Sequence, residues 1–287
     1  MDATTIITQI FLPISLAIIM FGMGLTLVVS DFSRLFTYPK EVFIGLCNQL
    51  IFLPLIGFLI ILLFDLNSSM AIGIMILSLC PGGPTSNLIT QVAKGNIGLS
   101  VTLTAIASLI TVFTIPIILS KAIAHFTGET DVVIELPVLQ TMIQILVITL
   151  IPVSVGMVIR KKNEAFALRM ERPMRIASTV LFIIIFLLVM FANKNLIVQA
   201  MKEVGFATLL LNLSTMALGY ITAKFFGIKG KSQISITIES GIQNGTLAFV
   251  IATTILNNVE MGLPTGAYSI WMFISGGFLM WRLGASK

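Results

Sequence analysis

Glu239 is the one acidic or basic residue that falls near the middle of a membrane-length apolar segment, Ser232 to Leu256. It opens the stretch Glu239-Ser240-Gly241-Ile242-Gln243-Asn244-Gly245, in which two glycines and several polar side chains interrupt hydrocarbon-soluble sequence. A carboxylate held at that depth costs several kcal/mol, on the order of 3 or more, so it is kept for a partner or an ion. Other oxygen donors recur at comparable depth. Ser100 and Thr104 are four apart and share one helical face, Ser86 and Asn87 follow a Pro/Gly break, and Gln49 stands beside Asn48 within an apolar run. One carboxylate among hydroxyl and amide oxygens suits a hard monovalent cation such as Na+ better than the soft metals that take thiolate or imidazole.

The elements that must position these residues are membrane helices. With 57% hydrophobic and 10% charged residues and a mean hydropathy of +1.06, the chain cannot present a soluble, charge-mixed surface. The 287 residues divide into about nine apolar stretches, near 5–29, 39–64, 69–93, 97–124, 136–160, 173–193, 204–226, 232–256 and 264–282. An all-α polytopic membrane protein is expected. The first stretch has no basic leader and no small-residue cleavage site before Ser30, so it is expected to stay as a span.

Lys and Arg counts give the orientation. Arg34, Lys40, Lys94, the run from Arg160 to Arg175, the run from Lys224 to Lys231, Arg282 and Lys287 place 14 of the 17 basic residues on one face. The other face has Lys121, Lys194 and Lys202. The positive-inside rule then sets the N-terminus outside and the C-terminus in the cytoplasm of a multi-pass inner (plasma) membrane protein. The net charge of +5 follows from this asymmetry, so nucleic acid is not an expected partner. Cys47 and Cys80 lie within spans rather than in outer loops, and the single histidine, His125, sits in a connection. Neither a disulfide framework, nor a metal-ligand spacing, nor a catalytic triad is legible.

Two spans are broken. Cys80-Pro81-Gly82-Gly83-Pro84 must split the third stretch, because proline removes a backbone donor and clashes with the preceding turn. Gly82 and Gly241 are 159 residues apart, while the flanking spans are offset by 165 and 167. Four spans are thus separated from four by one, an inverted repeat. Paired breaks at matching positions of inverted halves point to a substrate site where broken helices cross at the bilayer midplane.

Cys80-Pro81-Gly82-Gly83-Pro84-Thr85-Ser86-Asn87, Glu239-Ser240-Gly241-Ile242-Gln243-Asn244 and Gly22-Met23-Gly24-Leu25-Thr26-Leu27 together resemble the bile acid:sodium symporter family, in its bacterial branch. The resemblance runs through essentially the whole chain. It implies a first sodium site at Ser86, Asn87, Ser100, Thr104 and Glu239, and a second at Gln49, Glu239, Gln243 and the backbone carbonyls of Ser240 and Ile242. It also implies two Na+ ions as the only metal, no organic cofactor, and a core that moves against a panel of helices. Here the panel would comprise residues 1–30 and 136–193, and the core 31–127 and 204–287. Ten helices are usual in bacterial members, and this chain starts at what looks like the second.

The expected function is sodium-coupled import of a bile-acid-like organic anion or a small carboxylate by alternating access, in a monomer that is not an enzyme. Pro84, Thr85, Ser86, Asn244, Gly245 and Ser275 are the expected substrate contacts, because half-helices starting near Thr85 and Gly245 direct free N–H groups at an anion. Pro84-Thr85 and Gly245 depart from common family residues, and the last span offers Ser275, Gly276 and Gly277 as its small or polar groups, so a steroid is not implied by the family alone. The leading rival is efflux of arsenite or an oxyanion with Cys80 as a thiolate ligand. A channel and an intramembrane enzyme fit less well, since neither a pore-lining ring nor a second positioned acid is present.

Overall fold

The computed structural model describes residues 7–128, 136–170 and 194–284, together with positions 173, 174, 176, 177, 180, 181 and 184. The chain starts with a π-helical turn, Ile7–Phe11, that leads into α1, Leu12–Thr26. Then come α2 (Val29–Thr37), α3 (Pro39–Phe64), the half-helices α4 (Ser68–Leu79) and α5 (Pro84–Val92), and α6 (Ile97–Thr127). The rest comprises α7 (Val138–Lys162), α8 (Lys194–Phe225), the half-helices α9 (Lys231–Gly241) and α10 (Gly245–Ile255), and α11 (Leu263–Gly284). The described residues hold no strand, and long helix, broken helix, long helix occurs twice in chain order. The protein is therefore an α-helical polytopic membrane protein. The expected span 173–193 lies largely outside the described residues.

Element boundaries differ from expectation in three places, each for a local reason. The helix over the seventh expected span, 204–226, is already formed ten residues earlier at Lys194, because Leu, Gln, Ala, Met, Lys and Glu residues are helix formers good enough to extend it past the apolar window. Between the first two spans an extra helix, α2, has formed. Its start is capped by Asp31, whose Oδ2 accepts from Val28 N at 2.8 Å, and it ends at Tyr38 before Pro39.

The third place is at single prolines within spans. The π-helical turns Ile7–Phe11, Asn48–Phe52 and Leu146–Leu150 lie immediately upstream of Pro13, Pro54 and Pro152. Proline offers no N–H and crowds the carbonyl four residues back, and a one-residue slip of the hydrogen-bond ladder relieves both. Pro116 is accommodated inside α6 without such a turn.

Packing divides the connections between two ends of the bundle. At one end Asn96 N donates to Lys231 O at 3.0 Å and Ser235 Oγ to Asn96 O at 2.9 Å, so the loops bearing Lys94 and Lys231 meet. At the other, Ser68 Oγ donates to Phe126 O at 2.7 Å and Asn67 Nδ2 to Glu203 Oε2 at 3.3 Å. Helices α1 and α7 cross closely enough that a Cβ on Gly156 would stand 2.5 Å from Phe21 O. Small residues at such crossings let backbones touch where lipid supplies no hydrophobic drive.

Candidate functional site

The two breaks cross each other. Gly82 and Gln243 pair as an isolated antiparallel bridge, and Asn244 N donates to Pro81 O at 2.8 Å. Each half-helix end finds a local partner as well: Cys80 N donates to Leu77 O at 3.2 Å, Gln243 Nε2 to Ser240 O at 3.0 Å, Leu247 N to Asn244 Oδ1 at 3.0 Å, and Ser86 N to Gly83 O at 3.0 Å. These bonds replace the helix ladder that the breaks remove, which unpaired backbone at this depth requires.

Glu239, 1% exposed, lies against this crossing. Its Oε1 stands 2.5 Å from Ser86 Oγ and also contacts Ser100 Oγ, and its Oε2 stands 2.9 Å from Thr104 Oγ1. Ser100 Oγ is in turn 2.8 Å from Asn87 Oδ1 and 3.3 Å from Thr90 Oγ1. The first five expected ligands thus converge from α5, α6 and α9. A serine hydroxyl has one proton, yet Ser100 Oγ faces two acceptors, Glu239 Oε1 and Asn87 Oδ1, beside the Thr90 hydroxyl, and Ser86 Oγ faces both Glu239 and Gly83 O, 2.7 Å away. Such a cluster is rich in oxygen and short of protons, which is the condition a hard cation satisfies.

A second group adjoins it. Gln49 Nε2 reaches Glu239 O at 3.0 Å and Oε2 at 3.4 Å, while the buried Oε1 atoms of Gln49 and Gln243 have no hydrogen-bond partner. Gln49 belongs to the π-helical turn ahead of Pro54, so the proline slip sets the register that aims its amide inward. Space here is tight. A Cβ on Gly82 would lie 2.5 Å from Glu239 Oε2 and 3.1 Å from Gln49 Nε2.

A cavity of about 230 Å³ lies between α1 and the crossing. Pro84, Thr85, Asn244 and Gly245 line it, as expected substrate contacts would. Ser86 stands beneath it, fully buried with its hydroxyl toward Glu239, and Ser275 is off the wall with its hydroxyl turned to Met272 O at 3.2 Å. Thr26, Gln91, Thr246 and Phe273 line the cavity without having been singled out as contacts. Thr26 closes the Gly22-Met23-Gly24-Leu25-Thr26 motif, which was the available signal. Among the described residues no Lys, Arg, His, Asp or Glu side chain is on the wall. Cys80, 1% exposed, is not on it either.

Interrupted helices crossing around a buried carboxylate define the class of membrane carriers that bind solute and coupling ion at the same depth. The chain belongs to the Sodium Bile acid symporter family, whose model matches residues 13–200. It is 31% identical over 271 residues to YocS of Bacillus subtilis, an uncharacterized sodium-dependent transporter, covering 94% of this chain and 81% of the relative. It is 30% identical over 279 residues to the probable sodium/metabolite cotransporter BASS1 of Arabidopsis thaliana chloroplasts, covering 96% of this chain and 67% of that one. The hepatic sodium/bile acid cotransporter of Rattus norvegicus is 30% identical over 259 residues, 89% and 69% of the two chains. The protein is a sodium-dependent membrane transporter and not an enzyme.

Proposed function

We propose that the protein imports a small organic anion together with two Na+ ions by alternating access. The observation that carries this reading is the convergence of Ser86, Ser100 and Thr104 on Glu239, with Asn87 joined through Ser100 and more oxygens than protons to share among them. The first Na+ takes that cluster. The second takes Gln49, Gln243, Glu239 and the carbonyls of Ser240 and Ile242, where two unpartnered amide oxygens already stand. Names given to relatives, for bile acids or for metabolites, support an organic substrate. The cavity beside the crossing would take the small carboxylate. Its headgroup is bound by N–H and amide donors at the starts of α5 and α10, since the wall offers no cationic side chain.

In this reading the panel comprises residues 1–30 and 136–193 and the core 31–127 and 204–287. The tight α1–α7 crossing supports it. So does α2, which is tied to α6 by Thr102 Oγ1 donating to Asp31 O at 2.8 Å and which leaves Leu27–Val28 as the extended joint between panel and core. The cavity reaches Thr26, Gln91 and Ile97 at the end that bears Lys94, the cytoplasmic end by charge. At the opposite end Gln9 Nε2 donates to Asn257 Oδ1 at 3.1 Å.

Uptake from a metabolite mixture into proteoliposomes, followed by mass detection with and without an inward sodium gradient, tests the reading. A sodium-driven carboxylate is expected. Two Na+ entering with a monoanion move one net positive charge, so a lumen-negative K+ diffusion potential should raise uptake, with about 2.3 kcal/mol per charge per 100 mV as the drive. Uptake of a monoanion that ignores the imposed potential overturns the two-ion count, and uptake that ignores sodium overturns the coupling.

A further inference from the structure

Three consecutive carbonyls end α9, and each is met by a side chain. Glu239 O receives Gln49 Nε2 at 3.0 Å and Ser240 O receives Gln243 Nε2 at 3.0 Å. Gly241 O receives two donors, Asn212 Nδ2 from α8 at 2.8 Å and Tyr268 Oη–H from α11 at 2.8 Å. Both donors come from outside the crossing. Neither Asn212 nor Tyr268 lies on the cavity wall or bonds to the Glu239 carboxylate, and both are fully buried.

One donor would relieve the cost of burying a single carbonyl, so the second bond needs another reason. Asn212 adds to the puzzle because its Oδ1 is buried without a partner, a cost that a merely space-filling residue would avoid. Direction accounts for both. The peptide joining Gly241 to Ile242 is held at its nitrogen by Ile238 O, 2.9 Å away, and at its oxygen from two sides by α8 and α11. A peptide unit is planar, so those three anchors fix its orientation and, with it, the positions of the two Cα atoms from which the carbonyls on either side hang. Those neighbours are Ser240 O and Ile242 O.

We infer that Asn212 and Tyr268 are positioning residues for the second sodium site: they clamp the Gly241–Ile242 peptide so that the flanking carbonyls point at the ion. The inference rests on the sodium sites proposed above. The clamp acts through the peptide and touches neither ion nor substrate. Because its two halves sit on the spans flanking the broken helix, it also ties the geometry of that site to how α8 and α11 sit against α9.

The test measures melting of the purified full-length protein against NaCl, with KCl at equal ionic strength as reference. Tyr268→Phe keeps the ring and removes one anchor, and Asn212→Leu keeps the volume and removes the other. Thr208→Val, one turn away on α8, removes a hydroxyl bonded only within its own helix to Val204 O and Gly205 O, and serves as control. The NaCl concentration for half-maximal stabilisation should rise about fivefold in Tyr268→Phe, the factor one net hydrogen bond sets, and more than about tenfold in the double variant. The sodium dependence should also become less steep, since one of two sites is weakened. Melting lowered in KCl with the sodium midpoint unmoved, or a midpoint shift no larger than that of Thr208→Val, overturns the clamp. If Asn212→Leu does not fold, Tyr268→Phe alone decides. A wild type without sodium stabilisation overturns the sites and the clamp together. Stabilisation lost in Glu239→Gln but intact in both clamp variants overturns the clamp alone.

Discussion

The two breaks bring the same backbone interruption to one crossing by different means. From Cys80 to Gly83 the chain is turned by covalent constraint: Pro81 and Pro84 withhold donors and Gly82 and Gly83 leave room for the second break. From Ile242 to Asn244 no proline is present, and the turn is held by amides and by side chains borrowed from α3, α8 and α11. Apart from its pairing with the second break, the first draws on its own residues, and the second is suspended from its neighbours as well. Glu239 and four side chains that hold carbonyls, Gln49, Asn212, Gln243 and Tyr268, belong to the suspended one or reach into it, whereas at the first break Ser86 Oγ holds Gly83 O from within. Ion chemistry is therefore expected to respond strongly to changes at the second break and weakly to changes in the prolines of the first.

The largest effect is expected at Glu239. A ligand that binds the folded state alone stabilises by RT ln(1 + [L]/Kd), about 1.4 kcal/mol per site at ten times Kd. Glu239→Gln should erase most of the difference in melting temperature between NaCl and KCl, since the carboxylate is proposed to serve both ions. An undiminished difference would mean that the charge is not what binds sodium, and the contrast between the breaks would lose its basis.

Gly82→Ala comes next because it carries the test across to the first break. Its Cβ would meet Glu239 Oε2 at 2.5 Å, nearer than side chains approach, whereas the Cβ of Gly83→Ala would meet Asn244 Cα at 3.3 Å. Sodium stabilisation should be largely lost in Gly82→Ala and mostly kept in Gly83→Ala. Equal behaviour of the two would show that the first break tolerates or rejects side chains for reasons of backbone alone.

A smaller change is expected from Ser100→Ala combined with Thr104→Ala. These hydroxyls face Glu239 from α6, but the helix is fixed by apolar packing, and interhelical hydroxyl bonds in membranes average about 0.6 kcal/mol. The double variant should insert and fold while needing more sodium for the same stabilisation. Failure to fold would give the pair a structural role and remove two ligands from the first site.

How much of this was legible beforehand follows the same division. Apolar length marked the spans, and Pro81, Gly82 and Gly83 marked the first break, because those residues act through their own backbone. Ser100 and Thr104 could be placed on one face by helical spacing. What sequence could not supply was anything decided by a neighbour. The register of Gln49 depends on a ladder slip at Pro54, the hydroxyl of Ser275 turns back on its own helix, and Asn212 and Tyr268 gain their meaning from a carbonyl on a third helix. Helix α2 was missed because Asp31 and Arg34, 3.3 Å apart, make it too polar for a hydropathy window.

The smallest effect is expected from Pro84→Ala, and it sharpens the comparison most. Pro84 opens α5, where a backbone N–H has no helical acceptor in any case, so restoring that N–H breaks no bond. The residue also lines the cavity, and the α5 members of the Glu239 cluster are Ser86 and Asn87. What proline contributes is a restricted unfolded chain, about 0.4–1 kcal/mol where the native backbone already suits it. Melting should fall by a degree or two in NaCl and KCl alike, with the sodium midpoint unchanged. If the midpoint moves as far as it does in Tyr268→Phe, the prolines are tuning the ion sites after all, and the two breaks differ in composition without differing in role.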